Sequence, residues 1–339
     1  MSKVTIALIG CGQRGPGGHG KVAKASEKLE LVAVCDIDES RAKATAEMLD
    51  VEYVTDYHEL LFRDDLESVI IATHTRHHGQ IAIDAAGAKK HIIMEKPMVD
   101  SVATAKELIA AADEAGIIGI VAYQLRFTES AWALKREAAE IEPLQALMTV
   151  QRGMMAPQYF FPEHYGGVID TASHTIHQAL WVMDDTPTGV YATLRRGTFR
   201  EGETIEFANL MIEYDNGERT ATIITSMGGV QTPNIIQIVG RHGTVSSLNR
   251  SALKVVRHHG FNMDKSPIDL EVRTIEPEGD MRHSVAEMHD HFADLIRGTV
   301  SEQRGATFYE GMLAVAVTEA MAESARRGER VSMAEILGD

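Results

Sequence analysis

The stretch VTIALIGCGQRG, residues 4–15, decides the fold of the N-terminal half of the chain. Its first seven residues form an apolar, β-branched run that ends in glycine, which is typical of a buried strand. Gly10, Gly12 and Gly15 follow as G-x-G-x-x-G, directly after this strand and before a predicted helix. In that context Gly10 permits a tight turn, Gly12 lets the backbone approach a pyrophosphate, and the first amides of the helix face the anion.

Strand and helix signals alternate regularly outward from this stretch. The predicted strands are 4–10, 29–36, 67–73, 91–95 and 117–123, and the predicted helices are 19–28, 38–49, 77–88 and 100–116. The first helix is expected to begin near His19, because Gly17 and Gly18 are poor helix formers. Strands that are apolar throughout and separated by helices indicate a doubly wound parallel sheet covered on both faces.

The pattern changes after about residue 143, where strand signals follow one another. They cover 145–153, 190–197, 207–225 and 235–247. The sequence DNGE at 215–218 predicts a hairpin turn, since Asn-Gly accepts positive φ, and GRHGT at 240–244 predicts another. We therefore expect an α+β second domain with a largely antiparallel sheet, closed by helices near 284–297 and 306–327, and surface loops over 257–284.

The chain of 339 residues is long enough for two domains with sizeable cores. The change of pattern predicts a nucleotide-binding domain over 1–123 and a substrate-binding and oligomerisation domain over 124–339. The last helices are candidates to pack back on the first domain.

The composition argues against several classes of partner. Asp and Glu number 49 against 33 Lys and Arg, so the formal charge is −16. Such a chain would repel nucleic acid and anionic membranes unless it carried a concentrated basic patch, and none is visible in the sequence. The two cysteines, Cys11 and Cys35, form no disulfide framework and are expected at buried strand ends. We therefore expect a cytoplasmic protein whose partner is a small molecule.

An acidic residue follows the second predicted strand. Asp36 lies 21 residues after Gly15, where a carboxylate accepts hydrogen bonds from the ribose hydroxyls of an adenosine. The same charge repels a 2′-phosphate, so the sequence favours NAD over NADP. The alternative is a glycine-rich surface turn followed by an ordinary Asp at a strand end. Gln13 and Arg14, within the glycine loop, are further candidate cofactor contacts.

The stretch IIMEKPM, residues 92–98, places Glu95, Lys96 and Pro97 at the carboxyl end of the fifth predicted strand. Ligands bind outside this edge in open α/β sheets, so Lys96 is expected at the junction of cofactor and substrate. Pro97 ends the strand and keeps Lys96 out of helical geometry. The alternative is a solvated loop lysine.

The stretch GGVIDTASHTIHQALW, residues 166–181, places Asp170, His174 and His177 on one face of a predicted helix. Three interpretations compete: an acid/base group, a metal site to which His164 could contribute, and a structural polar seam. Nearby, Tyr159, Phe160 and Phe161 could cover a sugar ring or pack in a core. Arg152, at the end of another predicted strand, is a candidate substrate contact.

Together GCGQRG, Asp36, MEKP and the Asp170-xxx-His174 spacing resemble the glucose–fructose oxidoreductase and inositol dehydrogenase family, Gfo/Idh/MocA. The resemblance runs over nearly the whole chain. It implies an N-terminal Rossmann domain and an α+β C-terminal domain with a large, mostly antiparallel open sheet. It also implies that NAD or NADP is bound and that a hydroxyl or carbonyl of a sugar, cyclitol or related polyol is oxidised or reduced. Lys96, Asp170 and His174 would form the catalytic group, with Glu95 near the nicotinamide.

Other segments match the family pattern in part. The loop THTRHH, residues 73–78, keeps Thr73 and His78 of T-P-N-x-x-H, which makes them candidate cofactor contacts. In the helix motif G-G-x-x-x-D-x-G-x-H-x-x-D, Ala172 replaces a glycine and His177 replaces the last Asp, so the family role of that position is open. The segment YQLRF, residues 123–127, resembles the entry into the second domain and makes Gln124 and Arg126 candidate substrate contacts. His177 is a further one.

The sequence leaves three functions open. The first is an NAD-dependent dehydrogenase of a sugar-like secondary alcohol, which needs a proton acceptor but no metal. The second is a glycosidase that keeps NAD bound and uses transient oxidation to eliminate a glycosidic bond, and the third is a sensor of NAD(H). The retention of Lys96, Asp170 and His174 argues against the sensor. The resemblance further implies a homodimer or homotetramer.

Overall fold

A computed structural model describes residues 2–152, 167–196, 205–227, 234–249, 252–277 and 283–338, with the backbone alone at 152, 167–171, 196 and 227. The chain divides into two compact units. The first comprises Met1–Phe127 and Asp280–Val315, and the second comprises Thr128–Gly279 and Ala316–Asp339. Among the described residues, no helix is long and apolar enough to cross a membrane.

The first unit alternates strands and helices. Its elements are β1 Val4–Ile9, α1 Lys21–Ala25, β2 Leu29–Cys35, α2 Glu39–Leu49, β3 Glu52–Val54, α3 Tyr57–Leu61, β4 Ser68–Ile71, α4 Thr75–Gly87, β5 His91–Met94, α5 Val102–Ala115 and β6 Gly119–Val121. The described strands form a parallel sheet in the order β3-β2-β1-β4-β5-β6. The predicted doubly wound architecture is confirmed. The strand order reverses between β1 and β4, where such sheets open a crevice for ligands at their carboxyl edge.

The expectation that helical structure begins near His19 is wrong. A π-helical segment covers Gly15–Gly20 and continues directly into α1. Pro16 fits the first helical turn, where its missing N–H is no loss, and this start offsets the low helix propensity of Gly17 and Gly18.

A later segment of the chain completes the core of the first unit. Helix α8 covers Ser284–Arg297 and packs on α1, β1 and β2. Its Met288 and Phe292 are fully buried in the same apolar cluster as Leu8 and Ile70. Burial of each such side chain contributes roughly 1.5–3 kcal/mol, so α8 is an integral part of this unit.

The second unit has an α+β architecture. Its elements are α6 Glu129–Glu140, β7 Pro143–Arg152, α7 Gly167–Met183, β8 Gly189–Arg196, β9 Ile205–Tyr214, β10 Arg219–Met227, β11 Ile235–Gly240, β12 Gly243–Leu248, β13 Leu253–Arg257, β14 Glu271–Ile275, β15 Val331–Ser332 and α10 Met333–Leu337. Helix α9, Phe308–Arg327, begins in the first unit and ends in the second.

In the described part of the second unit, nine strands form one sheet in the order β14-β13-β12-β11-β7-β10-β9-β8-β15. Only β7 and β10 pair in parallel, so the predicted mostly antiparallel sheet is confirmed. The DNGE turn joins β9 to β10 as predicted, with positive φ at Asp215, Asn216 and Gly217. Helix α7 packs on β7, β9 and β10.

The expectation of surface loops over 257–284 is wrong in part. Residues Glu271–Ile275 form β14, which pairs with β13 at the edge of the sheet. The alternation EVRTI offers only two apolar residues, and neither is buried, so the segment carries little of the hydrophobic signal that identifies a strand. The short elements β3 and α3 and the helix α6 were not predicted.

Candidate functional site: a nucleotide loop and a lysine segment

The glycine loop is fixed by backbone contacts that only glycine permits. Gly10 has φ of +105°, and a Cβ there would lie 2.6 Å from the carbonyl carbon of Ala72, just after β4. A Cβ on Gly15 would lie 1.9 Å from the carbonyl oxygen of Gly10. Both positions therefore exclude any side chain, because no Cβ approaches backbone so closely.

Gly12 has a different environment. A Cβ at Gly12 would meet no heavy atom within 4 Å, and Gly12, Gln13 and Arg14 are all exposed. The protein itself therefore does not require glycine at this position, whereas a ligand lying against the backbone would. A helical segment begins at Gly15, directly after these residues, and the amides at the start of a helix suit an anionic group. The loop fits the pyrophosphate of a dinucleotide.

Asp36 follows β2, and its carboxylate contacts the glycine loop. Its Oδ2 accepts the backbone N–H of Cys11 at 2.8 Å, and its Oδ1 accepts the N–H of Asp38 at 2.9 Å. Each oxygen retains a second lone pair. The carboxylate is thus held in place by the protein and keeps acceptor capacity for ribose hydroxyls.

The two cysteines lie at the ends of β1 and β2, as predicted, and both are buried and free. Burial raises the pKa of the Cys11 thiol to about 11 and that of the Cys35 thiol to about 12. Both thiols are protonated at neutral pH and serve as packing groups.

The lysine segment follows β5. Glu95 is 5% exposed, and its Oε2 accepts the backbone N–H of Lys96 at 2.9 Å. Its Oε1 lies 3.0 Å from Nε2 of His19 and 3.6 Å from Nε of Arg14. Burial alone would raise the pKa of Glu95, but the hydrogen bond with His19 and the charges of Lys96 and Arg14 outweigh it and lower the pKa. Glu95 is therefore ionised, and it joins the glycine loop to the lysine segment.

His78 connects the segment after β4 to the lysine segment. It is 1% exposed, with Nδ1 3.0 Å from the Pro97 carbonyl oxygen and Nε2 3.1 Å from that of Thr73. Burial lowers the pKa of His78, although the facing carbonyls oppose this shift. Because its ring nitrogens contact backbone carbonyls on both sides, His78 links the segment after β4 to the lysine segment. Thr73 is only partly buried.

The short 3₁₀ turn Gln124–Phe127 places its two candidate residues differently. Gln124 is partly buried, whereas Arg126 is 4% exposed. The Arg126 guanidinium donates to both carboxylate oxygens of Glu310 and to the carbonyl oxygen of Gly305. A bidentate pair of this kind fixes the start of α9, so the contacts of Arg126 described here are structural.

The predicted helix over residues 166–181 is present as α7, which begins at Gly167. It places Asp170, His174 and His177 at i, i+4 and i+7; His174 is partly buried and His177 is 3% exposed. For Asp170 and for Arg152, at the end of β7, the backbone position alone is described. The candidates Tyr159, Phe160, Phe161, His164 and Gly166 lie outside the described residues. Within the described ranges, no three His, Cys, Asp or Glu side chains form a metal-binding group.

Two buried histidines belong to this site and were not predicted. His19 lies against Glu95, and His289 of α8 lies against His19 with 3.0 Å between Nε2 and Nδ1. A single histidine in the glycine-rich stretch GPGGHG was the available signal for His19. His289 gave none, because its partner is 270 residues away in the sequence.

Comparison with known proteins decides the family. The model of an oxidoreductase family with an NAD-binding Rossmann fold, GFO_IDH_MocA, matches residues 4–123, and the model of its C-terminal alpha/beta domain matches residues 146–333. The chain belongs to this family. It is an NAD-binding oxidoreductase, and the predicted family and fold class are confirmed.

Individual relatives agree with this assignment. The chain is 26% identical over 349 residues to the D-apiose dehydrogenase of Rhizobium rhizogenes, covering 99% of each protein. It is 26% identical over 281 residues to the scyllo-inositol 2-dehydrogenase (NAD(+)) of Bacillus subtilis, covering 80% of this chain and 82% of the relative. An oxidoreductase from Agrobacterium radiobacter, solved in complex with NAD+, L-tartaric acid and magnesium, has a TM-score of 0.82 at 21% identity, covering 99% of this chain and 100% of that one. The last likeness shows the shared fold.

Proposed function

We propose that the protein transfers a hydride between NAD and a secondary hydroxyl or carbonyl of a sugar, cyclitol or related polyol. The observation that carries the proposal lies in the first unit. The glycine loop after β1 and the lysine segment after β5 leave the same carboxyl edge of one parallel sheet and are joined through Glu95. The backbone of Lys96 is thereby held at the edge where ligands bind in sheets of this kind.

The cofactor assignment follows from the loop. Gly10 and Gly15 create the turn, Gly12 leaves room for the pyrophosphate, and Asp36 accepts the ribose hydroxyls. Its fixed negative charge disfavours a 2′-phosphate, so NAD is preferred to NADP. Gln13, Arg14 and Thr73 are the further proposed cofactor contacts, and His78 supports them through its two carbonyl contacts.

The proposed catalytic residues are Lys96, Asp170 and His174. When bound, the nicotinamide accepts or donates the hydride. His174 takes the hydroxyl proton as the carbon is oxidised, because its ordinary pKa is close to neutral pH. Lys96 stabilises the negative charge that develops on the oxygen, and Asp170, one helical turn before His174, orients the imidazole or a neighbouring substrate hydroxyl. The support for this trio is its match to the family motifs.

The proposed substrate class follows from the relatives, whose names identify apiose and inositol dehydrogenases. A compound with several hydroxyls needs several hydrogen-bonding side chains. Gln124, Arg152 and His177 are the proposed contacts, and His177 distinguishes this chain from the family motif, which has Asp there. We keep Arg126 outside this group because its guanidinium is committed to Glu310.

The oxidation-assisted glycosidase is the weaker alternative, since the relatives named above are dehydrogenases. A sensor has no need of three catalytic side chains.

For the assembly we propose a homodimer or homotetramer that covers the sheet of the second unit. That sheet exposes Tyr191, Ile224, Val239 and Leu248, each at least 38% accessible. We also propose a cytoplasmic location, because free buried thiols are typical of proteins in a reducing compartment.

One experiment tests the proposed reaction. The purified protein is given NAD and a panel of sugars, cyclitols, sugar acids and glycosides, with NADH followed by absorbance and products by mass spectrometry. We expect NADH in stoichiometric amount with a keto or lactone product, retained in Lys43→Ala and lost in Lys96→Ala. Lys43 is the matched control because it is an exposed lysine within α2, outside the glycine loop and the lysine segment. Cleavage of a glycoside without net NADH would contradict the proposal.

A further inference from the structure

A buried chain of three side chains runs from the lysine segment into the interior of the first unit. It links Glu95, His19 and His289, which are 5%, 2% and 0% exposed. His19 Nε2 lies 3.0 Å from Glu95 Oε1, and His19 Nδ1 lies 3.0 Å from His289 Nε2. The three residues come from the strand end after β5, the π-helical turn and α8, so the fold assembles them from distant parts of the sequence.

The proton positions in this chain follow from its acceptors. Glu95 is ionised and can only accept, so His19 must donate through Nε2. Because Nδ1 of His289 has no partner in the described part of the protein, its N–H is placed on Nε2, where it donates to Nδ1 of His19. Burial, followed by the proximity of His19, lowers the pKa of His289 well below its ordinary value, so His289 is neutral. The geometry thus selects one tautomer for each ring.

The buried end of this series of three side chains, at His289, argues against proton transport. His289 is fully buried, and its Nδ1 has no hydrogen-bond partner in the described part of the chain. In the arrangement above this atom carries only a lone pair. An unpaired buried acceptor is tolerated better than an unpaired buried donor, which disfavours an extra proton on the histidine pair. A series of side chains that ends at this buried atom cannot pass a proton to solvent. Its effect is therefore on the position and charge of Glu95 and the residues that contact it.

We infer that His289 is a positioning residue for the reaction: its Nε2–H holds Nδ1 of His19, so that the Nε2–H of His19 stays directed at Glu95, which in turn holds the Lys96 backbone. The remaining polar contacts of Glu95 agree, since Oε2 accepts the Lys96 N–H at 2.9 Å and Arg14 lies on the outer side at 3.6 Å. The inference rests on the proposed function, in which Lys96 stabilises charge on the substrate oxygen. Without the donor at His289, Nδ1 of His19 loses its partner, and the ring can rotate so that its hydrogen bond to Glu95 weakens.

The test compares His289→Gln with His289→Leu. The amide nitrogen of glutamine reaches about the position of the histidine Nε2 and can donate to His19, whereas leucine cannot. We expect His289→Leu to lower kcat by about 10- to 100-fold, the effect of a small misplacement of a catalytic group, with little change in KM for the polyol. His289→Gln should recover most of kcat.

The matched control is His291→Leu on the same helix. His291 is also buried, but its Nε2 accepts the backbone N–H of Arg304 and has no connection to Glu95. The His291→Leu substitution should reduce thermal stability but leave kcat per folded molecule unchanged. Equal kcat losses in His289→Leu and His291→Leu would overturn the inference, since both would then report only a disturbed helix.

A second readout does not depend on turnover. Nitrogen-15 NMR of the histidine rings should find His19 as the Nε2–H tautomer with a hydrogen-bonded Nδ1 in the unaltered protein and in His289→Gln, and with an Nδ1 that accepts no hydrogen bond in His289→Leu. An Nδ1–H tautomer of His19 in the unaltered protein would overturn the inference. Wild-type kcat in Lys96→Ala would instead overturn the proposed function, whereas loss of activity in Lys96→Ala with full kcat in His289→Leu would overturn the positioning role alone.

Discussion

The glycine loop of the first unit and helix α7 of the second differ in what fixes their residues. In the loop, backbone atoms fill the space beside Gly10 and Gly15, so the fold itself demands glycine. On α7, Asp170, His174 and His177 occupy one face of a helix that many sequences would form. Residues of the first kind are recognisable from sequence because sterics allow no substitute, and residues of the second kind carry the chemistry that distinguishes one enzyme from another.

The largest effect is expected on α7, in His174→Asn. This change removes the proposed proton acceptor without altering helix or fold, so kcat should fall by about 10²- to 10⁴-fold, the usual contribution of a general base. NADH affinity should be unchanged, because the nucleotide loop lies in the other unit. Steady-state kinetics and a fluorescence titration with NADH check the two halves of this prediction.

His259→Asn provides the control, since His259 is an exposed histidine in the loop between β13 and β14. It should retain full activity. Equal activity in both variants would remove His174 from the catalytic group and would favour the structural interpretation of the α7 face.

Within the glycine loop, two substitutions separate demands of the fold from demands of the ligand. Gly10→Ala should lower the free energy of unfolding by about 1–3 kcal/mol from its positive φ alone, before the contact with Ala72 is counted. Gly12→Ala should leave stability intact, since nothing lies within 4 Å, and raise the Kd for NADH by about tenfold. Thermal unfolding and NADH titration give the two quantities.

Gly17→Ala is the control for both, because its added Cβ also meets nothing within 4 Å and the residue lies in the π-helical turn. Stability should rise slightly and NADH affinity should stay the same. A Gly12→Ala protein that binds NADH as tightly as the unaltered protein would refute the placement of the pyrophosphate against this loop.

These contrasts explain what the sequence could predict. The strand before Gly10, the helices over 284–297 and 306–327 and the DNGE hairpin have strong local signals, and each lies close to its predicted place. β14 was missed because an edge strand with little buried apolar surface has no clear periodicity. The pairing of His19 with His289, and of Arg126 with Glu310, depends on tertiary contacts between distant residues, which a single sequence does not encode locally.

A smaller effect is expected at the acid after β2. Asp36→Ser removes the charge that opposes a 2′-phosphate, so the ratio of kcat/KM for NAD to that for NADP should fall roughly 10- to 100-fold, the value of one charge-assisted hydrogen bond. Asp38→Ser is the matched control: Asp38 caps α2 through the N–H of Arg41, and serine is a good cap. An unchanged ratio in Asp36→Ser would contradict the role of Asp36.

The smallest effect concerns Cys11 and Cys35. Because burial raises the pKa of both thiols above the ordinary 9.0, to about 11 and about 12, neither should react with iodoacetamide at about pH 8 unless the protein unfolds. Their contribution to stability is present below the unfolded-state pKa and is lost as pH rises through the folded-state pKa, so alkaline conditions should destabilise the first unit. Mass spectrometry counts labelled thiols, and rapid labelling of the native protein would contradict the burial of this strand edge.

The central claim is that a hydride moves from a polyol carbon to NAD, and isotope transfer tests it most directly. A substrate identified in the panel is prepared with deuterium on its reacting carbon, and the reduced cofactor is weighed by mass spectrometry after turnover. The account predicts NADH carrying one deuterium, a primary isotope effect on kcat/KM, and loss of both signals in His174→Asn but not in His259→Asn. Deuterium released to water with no labelled NADH would contradict it.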